Sequence, residues 1–429
     1  MTYAEALARL LALRGGEHAG MRPGLERIEA LLEALGHPEQ SYTLAQIGGT
    51  NGKGSVAALL AAMLRADGRR VGLYTSPHLV SFRERIRVNG EAIAEDSVVD
   101  GMEALGTLVA RQDASVFEAT TALALDHFAR ERVDIAVLEV GLGGRYDATT
   151  VGRPAVTVLT SIDLDHQEVL GNTVGEIAED KAHIVRTGVA VSAEQAPEAT
   201  TPILAHAARA KVPLLMAGRD LSVALRARSL QGQRLDCAGP DFRFDGLDVH
   251  LLGAYQPGNA LLAVTAAHVL GCREPAVREG IARAHWPGRF EVRRRPGGWL
   301  VLDGAHNPAG ARALAESLAA YFGDTPMTLV LGVLRDKDAP GIVAPLLGRA
   351  RRVVLTASAN PRAARPDELR ALVPPALPVD VVASVAEALA RAADPTVPLV
   401  CVAGSLSLVG DALRSLAGDD KPCAVEIPA

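Results

Sequence analysis

The stretch TLAQIGGTNGKGSVAALLAAMLRADG, residues 43–68, joins a short apolar run to an amphipathic one through a glycine-rich loop. Its glycines let backbone N–H groups turn toward one point, and a helix that begins there adds positive potential. Lys53 supplies a mobile cation, although Ile47 and Gly54 depart from the GxxxxGK[ST] pattern. The order strand, loop, helix therefore predicts a phosphate-binding loop, and a purely structural glycine turn is the alternative.

Apolar runs alternate with longer amphipathic runs along most of the chain. The nearly apolar runs Ile135 to Leu138 and Val156 to Leu159 are typical of central strands in a parallel sheet. Residues 221–252 instead show the turn signals of an antiparallel insertion, and WPG at 286–288 interrupts both periods. We predict an α/β protein with a P-loop, doubly wound N-terminal ATPase domain over 1–289 and a smaller Rossmann-like α/β C-terminal domain over 290–429.

The composition excludes several classes of partner. With 44 Lys and Arg against 50 Asp and Glu, the net charge of −6 offers no general attraction for nucleic acid or anionic lipid, and aromatic residues are only 3%. We find no run of about 18 apolar residues and no secretory leader pattern. The four widely spaced cysteines fit a reducing compartment. We expect a cytoplasmic monomer that acts on small molecules, without nucleic acid or a membrane as partner.

Several further motifs occur in a characteristic order. GTNGKGS (49–55), TSPHL (75–79), FEATTALALDHF (117–128), VLEVGLGGRYDATT (137–150) and TSIDLDH (160–166) resemble the folylpolyglutamate synthase and dihydrofolate synthase family, relatives of the Mur peptidoglycan ligases. The resemblance extends from about residue 20 to 415. It implies an ATP-dependent ligase that adds L-glutamate to dihydropteroate, to folyl(poly)glutamates or to both through an acyl phosphate. It implies ATP and two Mg²⁺ ions as cofactors, and it allows K⁺.

The resemblance also implies a nucleotide site and a set of catalytic residues. The implied nucleotide contacts are Asn51, Gly52, Lys53, Gly54, Ser55, Asn259, Arg289 and Asp303. The implied catalytic residues are Lys53, Lys181 and His306. Arg289 could instead be a surface cation at the domain boundary, and Asp303 and His306 could belong to a capped turn. We expect the two domains to close over ATP, because these residues lie on both sides of residue 290.

Residues that follow or end three strands form the predicted metal site. Glu139 ends one buried strand and His166 follows the next, while Ser76 is a magnesium ligand by the resemblance. A hydroxyl, a carboxylate and an imidazole at one sheet edge can hold Mg²⁺ against phosphates. Lys181 matches the lysine that forms a carbamate in the family, which would orient a second Mg²⁺. The alternative is a solvated helix lysine, and His183 stands where relatives commonly have Gly.

The acceptor side is also implied by the resemblance. The implied substrate-binding residues are Ser115, Val116, Phe117, Glu118, Tyr146 and Ser405. Phe117 is expected either to stack on a pterin or to belong to the core. Lys337 and Asp338 are interpreted as a charged loop without a role in the site.

Two alternative functions remain at this stage. One is a Mur-type amino-acid ligase acting on another carboxylate acceptor, although we recognise no UDP-binding domain before the phosphate loop. The other is a catalytically inactive nucleotide-binding relative, which would be expected to lose Lys53, Glu139, His166 or Lys181. All four residues are present. The choice of acceptor is left open.

Overall fold

The computed structural model describes residues 1–16, 22–394 and 396–418. The strands of its first sheet are β1 (Thr43–Gly48), β2 (Val71–Tyr74), β3 (Ile86–Val88), β4 (Glu91–Ala92), β5 (Ile135–Glu139), β6 (Pro154–Leu159), β7 (Val189–Ser192) and β8 (Leu214–Met216). Their spatial order is β4-β3-β2-β5-β1-β6-β7-β8. All neighbouring pairs are parallel except those that involve β3 and β4. The two apolar runs, in β5 and β6, flank β1 and are central, as predicted.

Helices cover both faces of this sheet. They are α1 (Tyr3–Leu11), α2 (Glu26–Ala34), α3 (Lys53–Ala66), α4 (Glu95–Leu105), α5 (Leu108–Arg111), α6 (Val116–Arg130), α7 (Gln167–Leu170), α8 (Val174–Ala182), α9 (Pro197–Ala210), α10 (Gln256–Val269) and α11 (Glu274–Arg283). Along β5, Ile135 and Val137 pack with α3 and α10, whereas Ala136 and Leu138 pack with α4 and α6. Because successive side chains of a strand point to opposite faces, burial on both faces explains the apolar run.

A second, antiparallel sheet is inserted after β8. It consists of β9 (Ser222–Ser229), β10 (Gly232–Gly239) and β11 (Phe242–Val249), in the order β11-β10-β9. It packs against α10 and α11 and joins the same core as α3. The antiparallel insertion predicted for residues 221–252 is therefore confirmed.

A third sheet begins at Glu291. Its strands are β12 (Glu291–Arg295), β13 (Gly298–Leu302), β14 (Met327–Leu331), β15 (Ala350–Leu355), β16 (Val379–Val381) and β17 (Leu399–Ala403). Their order is β12-β13-β17-β14-β15-β16, parallel except for β12. The helices are α12 (Pro308–Phe322), α13 (Ala339–Leu347), α14 (Pro366–Arg370), α15 (Val385–Ala392) and α16 (Leu406–Ala417). Within the described ranges, none of the helices is long and apolar enough to cross a membrane.

Candidate active site

One cavity of about 990 Å³ lies between the first and third sheets. It opens at the carboxyl ends of β1, β5 and β6, the edge at which ligands collect in sheets of this kind. All predicted site residues line it: Asn51, Gly52, Lys53, Gly54, Ser55, Ser76, Ser115, Val116, Phe117, Glu118, Glu139, Tyr146, His166, Lys181, Asn259, Arg289, Asp303, His306 and Ser405. The fold thus brings residues from both sides of position 290 to one place.

The predicted phosphate loop connects β1 to α3. Gly49 and Gly52 have φ values of +130° and +94°, which favour glycine. The loop is fixed to the neighbouring strand end because Thr50 donates its backbone N–H to the Ser161 carbonyl at 2.8 Å. Lys53 Nζ donates to the carbonyls of Gly49 and Thr50 at 3.2 and 3.0 Å. The ammonium group is thus held over the loop, where a phosphate would be bound.

Gly54 explains why this loop departs from the common pattern. A Cβ atom at Gly54 would lie 2.7 Å from Trp286 Nε1. Trp286 belongs to the segment between α11 and β12 and packs on the core shared by α3 and α10. A side chain at position 54 would therefore push the indole away from the first turn of α3.

The predicted metal ligands lie at the carboxyl edge of the first sheet. Glu139 is 5% exposed and accepts a hydrogen bond from the Ser76 backbone N–H at 3.0 Å. Burial raises the pKa of Glu139, and Lys53 opposes that rise. Partial desolvation in the cavity lowers the pKa of His166 to about 4 despite the adjacent Asp165, so its imidazole is neutral at pH 7.

These donors fit a hard divalent cation. A carboxylate and a hydroxyl oxygen are ligands that Mg²⁺ accepts, and a neutral imidazole can bind a metal through its free nitrogen. A cation would also offset the cost of burying the Glu139 charge. Across residues 1–16, 22–394 and 396–418, no three His, Cys, Asp or Glu side chains are grouped to hold a metal. The site would therefore depend on Ser76 and on phosphate oxygens for further ligands.

Lys181 is buried in the cavity wall. Its side chain is 5% exposed and its Nζ donates to the Gly49 carbonyl at 3.0 Å, so the interpretation as a solvated helix lysine is wrong. Burial and the nearby Lys53 lower the pKa of Lys181 to about 7. Two residues further on, the His183 ring donates from Nδ1 to the Glu179 carbonyl and packs against His206, with 4.7 Å between ring centroids. His183 is thus accommodated at the end of α8.

Side-chain hydrogen bonds connect α3 to α10. Gln256 donates to Ser55 Oγ at 3.3 Å and accepts from Asn259 Nδ2 at 3.0 Å. Asn259 Oδ1 closely approaches Gly52, where a Cβ atom would lie 2.5 Å from it. The side chain of Asn259 is therefore oriented against the phosphate loop.

Asp303 directly follows β13, and its carboxylate is hydrogen-bonded by groups of the same chain. Its carboxylate accepts hydrogen bonds from the Tyr255 hydroxyl at 3.0 Å, the Phe290 N–H at 2.7 Å and the Ala305 N–H at 2.8 Å. Burial raises the pKa of Asp303, and the neighbouring Arg289 opposes that rise. Asp303 therefore secures the segment that presents Arg289 to the cavity.

The charge of Lys337 is not in solvent, so its interpretation as part of a charged loop outside the site is wrong. Its side chain is 10% exposed, lines the cavity and donates to Asp165 Oδ1 at 2.7 Å. Asp165 Oδ2 accepts from Asn307 Nδ2 at 2.9 Å, and Asn307 exchanges two side-chain hydrogen bonds with Asn51 of the phosphate loop. Asp338 caps α13 by accepting from the Gly341 N–H.

Asp165 and Asn307 were missed as functional candidates by the sequence analysis. The available signal was their position, since Asp165 directly precedes His166 and Asn307 directly follows His306. Burial alone would raise the pKa of Asp165, but His166, Lys337 and His306 together hold it well below the usual range. Asp165 is therefore an anion at neutral pH.

Two of the predicted acceptor-binding side chains are engaged in local structure. Ser115 caps α6 by accepting from the Glu118 N–H, and the Glu118 carboxylate accepts from the Ser115 N–H. Glu118 also accepts from Arg27 Nε at 2.9 Å. Val116 is 2% exposed. These residues shape one wall of the cavity.

Phe117 and Tyr146 supply the aromatic part of that wall. Phe117 packs against Gly141, where a Cβ atom would lie 2.5 Å from Cζ, and it also contacts the core. Tyr146 is 38% exposed, with the Arg145 guanidinium over its ring. On the opposite side, Ser405 is 1% exposed and caps α16. The cavity is therefore lined by the aromatic rings of Phe117 and Tyr146 and, at Ser405, by the N-terminal end of α16.

Comparisons with known proteins agree with this architecture. The Mur ligase middle domain matches residues 47–267, and the Mur ligase glutamate ligase domain matches residues 288–406. The chain is 36% identical over 367 residues to dihydrofolate synthase/folylpolyglutamate synthase of Bacillus subtilis, covering 82% of this chain and 84% of that protein. Folylpolyglutamate synthase of Mycobacterium tuberculosis, solved with ADP, has a TM-score of 0.89 at 35% identity, covering 98% of this chain and 100% of that one.

A longer relative matches as well. A protein of Halobacterium salinarum named probable bifunctional folylpolyglutamate synthase/dihydropteroate synthase is 38% identical over 428 residues, covering 96% of this chain. The chain spans 51% of that relative's length. Together, the fold, the phosphate loop and the two domain matches define an ATP-dependent ligase of the Mur type. Within this class, the chain belongs to the folylpolyglutamate synthase/dihydrofolate synthase family.

Proposed function

We propose that this chain joins the amino group of L-glutamate to the carboxylate of dihydropteroate and of folyl(poly)glutamates, with conversion of ATP to ADP and phosphate. The observation that carries the proposal is the shared cavity. Its lining includes Lys53, Glu139 and Lys181, from the segments around the first sheet, together with Arg289 just before β12 and His306 after β13. Such an arrangement suits two reactions that must follow each other on one carboxyl group.

In the first proposed step, an oxygen of the acceptor carboxylate attacks the γ-phosphorus of ATP. The bond from that phosphorus to the bridging oxygen breaks, ADP leaves and an acyl phosphate forms. Lys53 stabilises the phosphoryl oxygens from the loop, and Arg289 does so from across the cavity. No nucleophilic side chain is needed, because catalysis comes from positioning and charge stabilisation.

In the second proposed step, the glutamate nitrogen attacks the acyl carbon, the carbon–oxygen bond to phosphate breaks and the nitrogen loses a proton. His306 can take that proton. Its Nδ1 donates to the Gly304 carbonyl at 2.8 Å, which leaves Nε2 with a lone pair. Burial lowers the pKa of His306, so the ring is neutral and able to act as a base.

We also propose ATP and two Mg²⁺ ions as the bound groups, with K⁺ allowed. Ser76, Glu139 and His166 would hold one Mg²⁺, and Lys181 as a carbamate would orient the second. When bound, the ions neutralise negative charge on the phosphates. Lys181 can retain its contact with the Gly49 carbonyl after modification, because a carbamate nitrogen keeps one hydrogen.

The substrate range tests the proposal directly. The protein is incubated with ATP, Mg²⁺ and glutamate, and with either dihydropteroate or tetrahydrofolate, and the products are identified by mass spectrometry. Both acceptors should gain one glutamate, while Lys53→Ala should form neither product. Extension of tetrahydrofolate alone would restrict the enzyme to polyglutamate synthesis. Failure with both acceptors would favour another carboxylate acceptor or an inactive relative.

Organisation and location are part of the same proposal. We propose a monomer with domains over 1–289 and 290–429 that acts in the cytoplasm. The start of β12 at Glu291 supports the boundary. Cys237, Cys272 and Cys401 are free and buried, which supports a reducing compartment, and Cys423 lies outside the described residues.

A further inference from the structure

Asp165 and Lys337 form a buried ion pair between the first and third sheets. Asp165 follows β6 and Lys337 follows β14, and their side chains are 9% and 10% exposed. Two charges that are largely withdrawn from water are costly to separate, because each would then be left without its partner. The pair therefore favours the arrangement in which the two sheets face each other across the cavity.

Asn307 extends this pair to the phosphate loop. Its Nδ2 donates both to Asp165 and to Asn51, and its Oδ1 accepts from Asn51 at 3.3 Å and from the Gly310 N–H at 2.8 Å. The bond to Gly310 caps α12, a helix of 15 residues. The position of this helix, and of the adjacent His306, is thus linked to Asp165 and to the loop.

We infer that Asp165 is a positioning residue that keeps the two halves of the cavity together between the two steps of ligation. This inference rests on the proposed function. The acyl phosphate is formed against the first sheet and must be met there by an amine presented from the third. Asp165 contacts residues of the third sheet and holds them against the phosphate loop through Asn307.

Loss of this linkage has a specific chemical consequence. An acyl phosphate that waits in an open cavity is exposed to water, which attacks the same carbon as the amine. ATP is then consumed without amide formation. The quantity that reports on Asp165 is therefore the ratio of ADP released to amide formed, rather than the rate alone.

The chain contains a matched control for this effect. Arg312 of α12 pairs with Asp163 at 3.3 Å, so this contact also joins the first and third sheets. These side chains are 56% and 38% exposed, and exposed pairs contribute little to stability. Arg312→Ala removes an ion pair between the sheets while leaving Asp165, Asn307 and Lys337 in place.

The experiment compares Asp165→Asn, Lys337→Met, their combination and Arg312→Ala in the full chain. ADP and amide are measured in the same reaction, and fluorophores on the two sheets report their separation with an ATP analogue bound. We expect each single variant to raise the ratio of ADP to amide about threefold or more and to widen the label distance. The combination should add little to either variant, because both remove one interaction. Arg312→Ala should match the wild type.

Two results would overturn the inference. One is a ratio and label distance that stay at the wild-type values in both Asp165→Asn and Lys337→Met. The other is an equal change in Arg312→Ala. Failure of the wild type to form any amide would instead contradict the proposed function. In that case the label distance would still decide whether Asp165 and Lys337 hold the sheets together.

Discussion

Replacing Lys181 with Met tests whether the buried amine lowers the free energy of unfolding of the protein. Its pKa is about 7 in the folded chain, against an ordinary value of 10.5. Between these two pH values the unfolded chain binds more protons than the folded chain, so the free energy of unfolding rises with pH. The full penalty for burying the ammonium group is present only well below pH 7.

The pKa difference sets the size of this effect. At about 1.4 kcal/mol for each pH unit, the penalty is roughly 5 kcal/mol well below pH 7, about 4 kcal/mol near pH 7.5 and close to zero above pH 10.5. Met has a similar length and no charge, but it loses the hydrogen bond to the Gly49 carbonyl, worth about 1 kcal/mol. We therefore expect Lys181→Met to raise the free energy of unfolding by about 3 kcal/mol near pH 7.5 and to abolish ligation.

Urea unfolding followed by circular dichroism measures the change. Wild type and Lys181→Met are compared from pH 7 to pH 10.5 in CO₂-free buffer, so that the wild-type amine is unmodified. The exposed Lys211→Met is the control and should leave the unfolding midpoint unchanged at every pH. A Lys181→Met variant that is less stable than wild type at pH 7, or a gain that does not shrink with rising pH, would refute the reasoning.

Three further variants follow from the cavity. Lys53→Ala should abolish ligation because the phosphates lose their cation, and near-normal amide formation at saturating ATP would remove Lys53 from the mechanism. Lys181→Ala should be inactive and regain activity with short carboxylates, while wild type supplied with ¹³C-bicarbonate should show a carbamate signal by NMR; a free amine in the active enzyme would contradict this. Gly54→Ala should lower the free energy of unfolding by about 1–3 kcal/mol through the contact with Trp286, and an unchanged urea midpoint would count against it.

Features that depend on neighbouring positions in the chain could be predicted from the sequence. The phosphate loop is one example, because strand, glycines, lysine and helix occupy adjacent positions within residues 43–68. The central place of β5 is another, since burial on both faces requires apolar residues at successive positions. The position of Glu139 and His166 at the cavity could also be predicted, because the carboxyl ends of parallel strands lie at one edge of the sheet.

Pairings between distant residues could not be predicted in this way. Lys337 lies 172 positions from Asp165 in the sequence, and nothing in a single sequence indicates that they meet. The interpretation of Lys337 as a loop charge failed for this reason. Ser115 and Glu118 show another difficulty, because their S-x-x-E spacing also predicts a capping box, which the structure contains, and the spacing alone does not distinguish a helix cap from a substrate contact.

The contact between Gly54 and Trp286 also determines where domains could be exchanged with a relative. Trp286 packs with the core of the first sheet, although it lies only a few residues before β12. Phe290, in contrast, donates its N–H to Asp303 of the third sheet. A chimera that grafts a foreign C-terminal domain should therefore be joined between residues 286 and 289. A junction placed earlier would import a different residue against Gly54, and the two parents would then have to be matched at both positions.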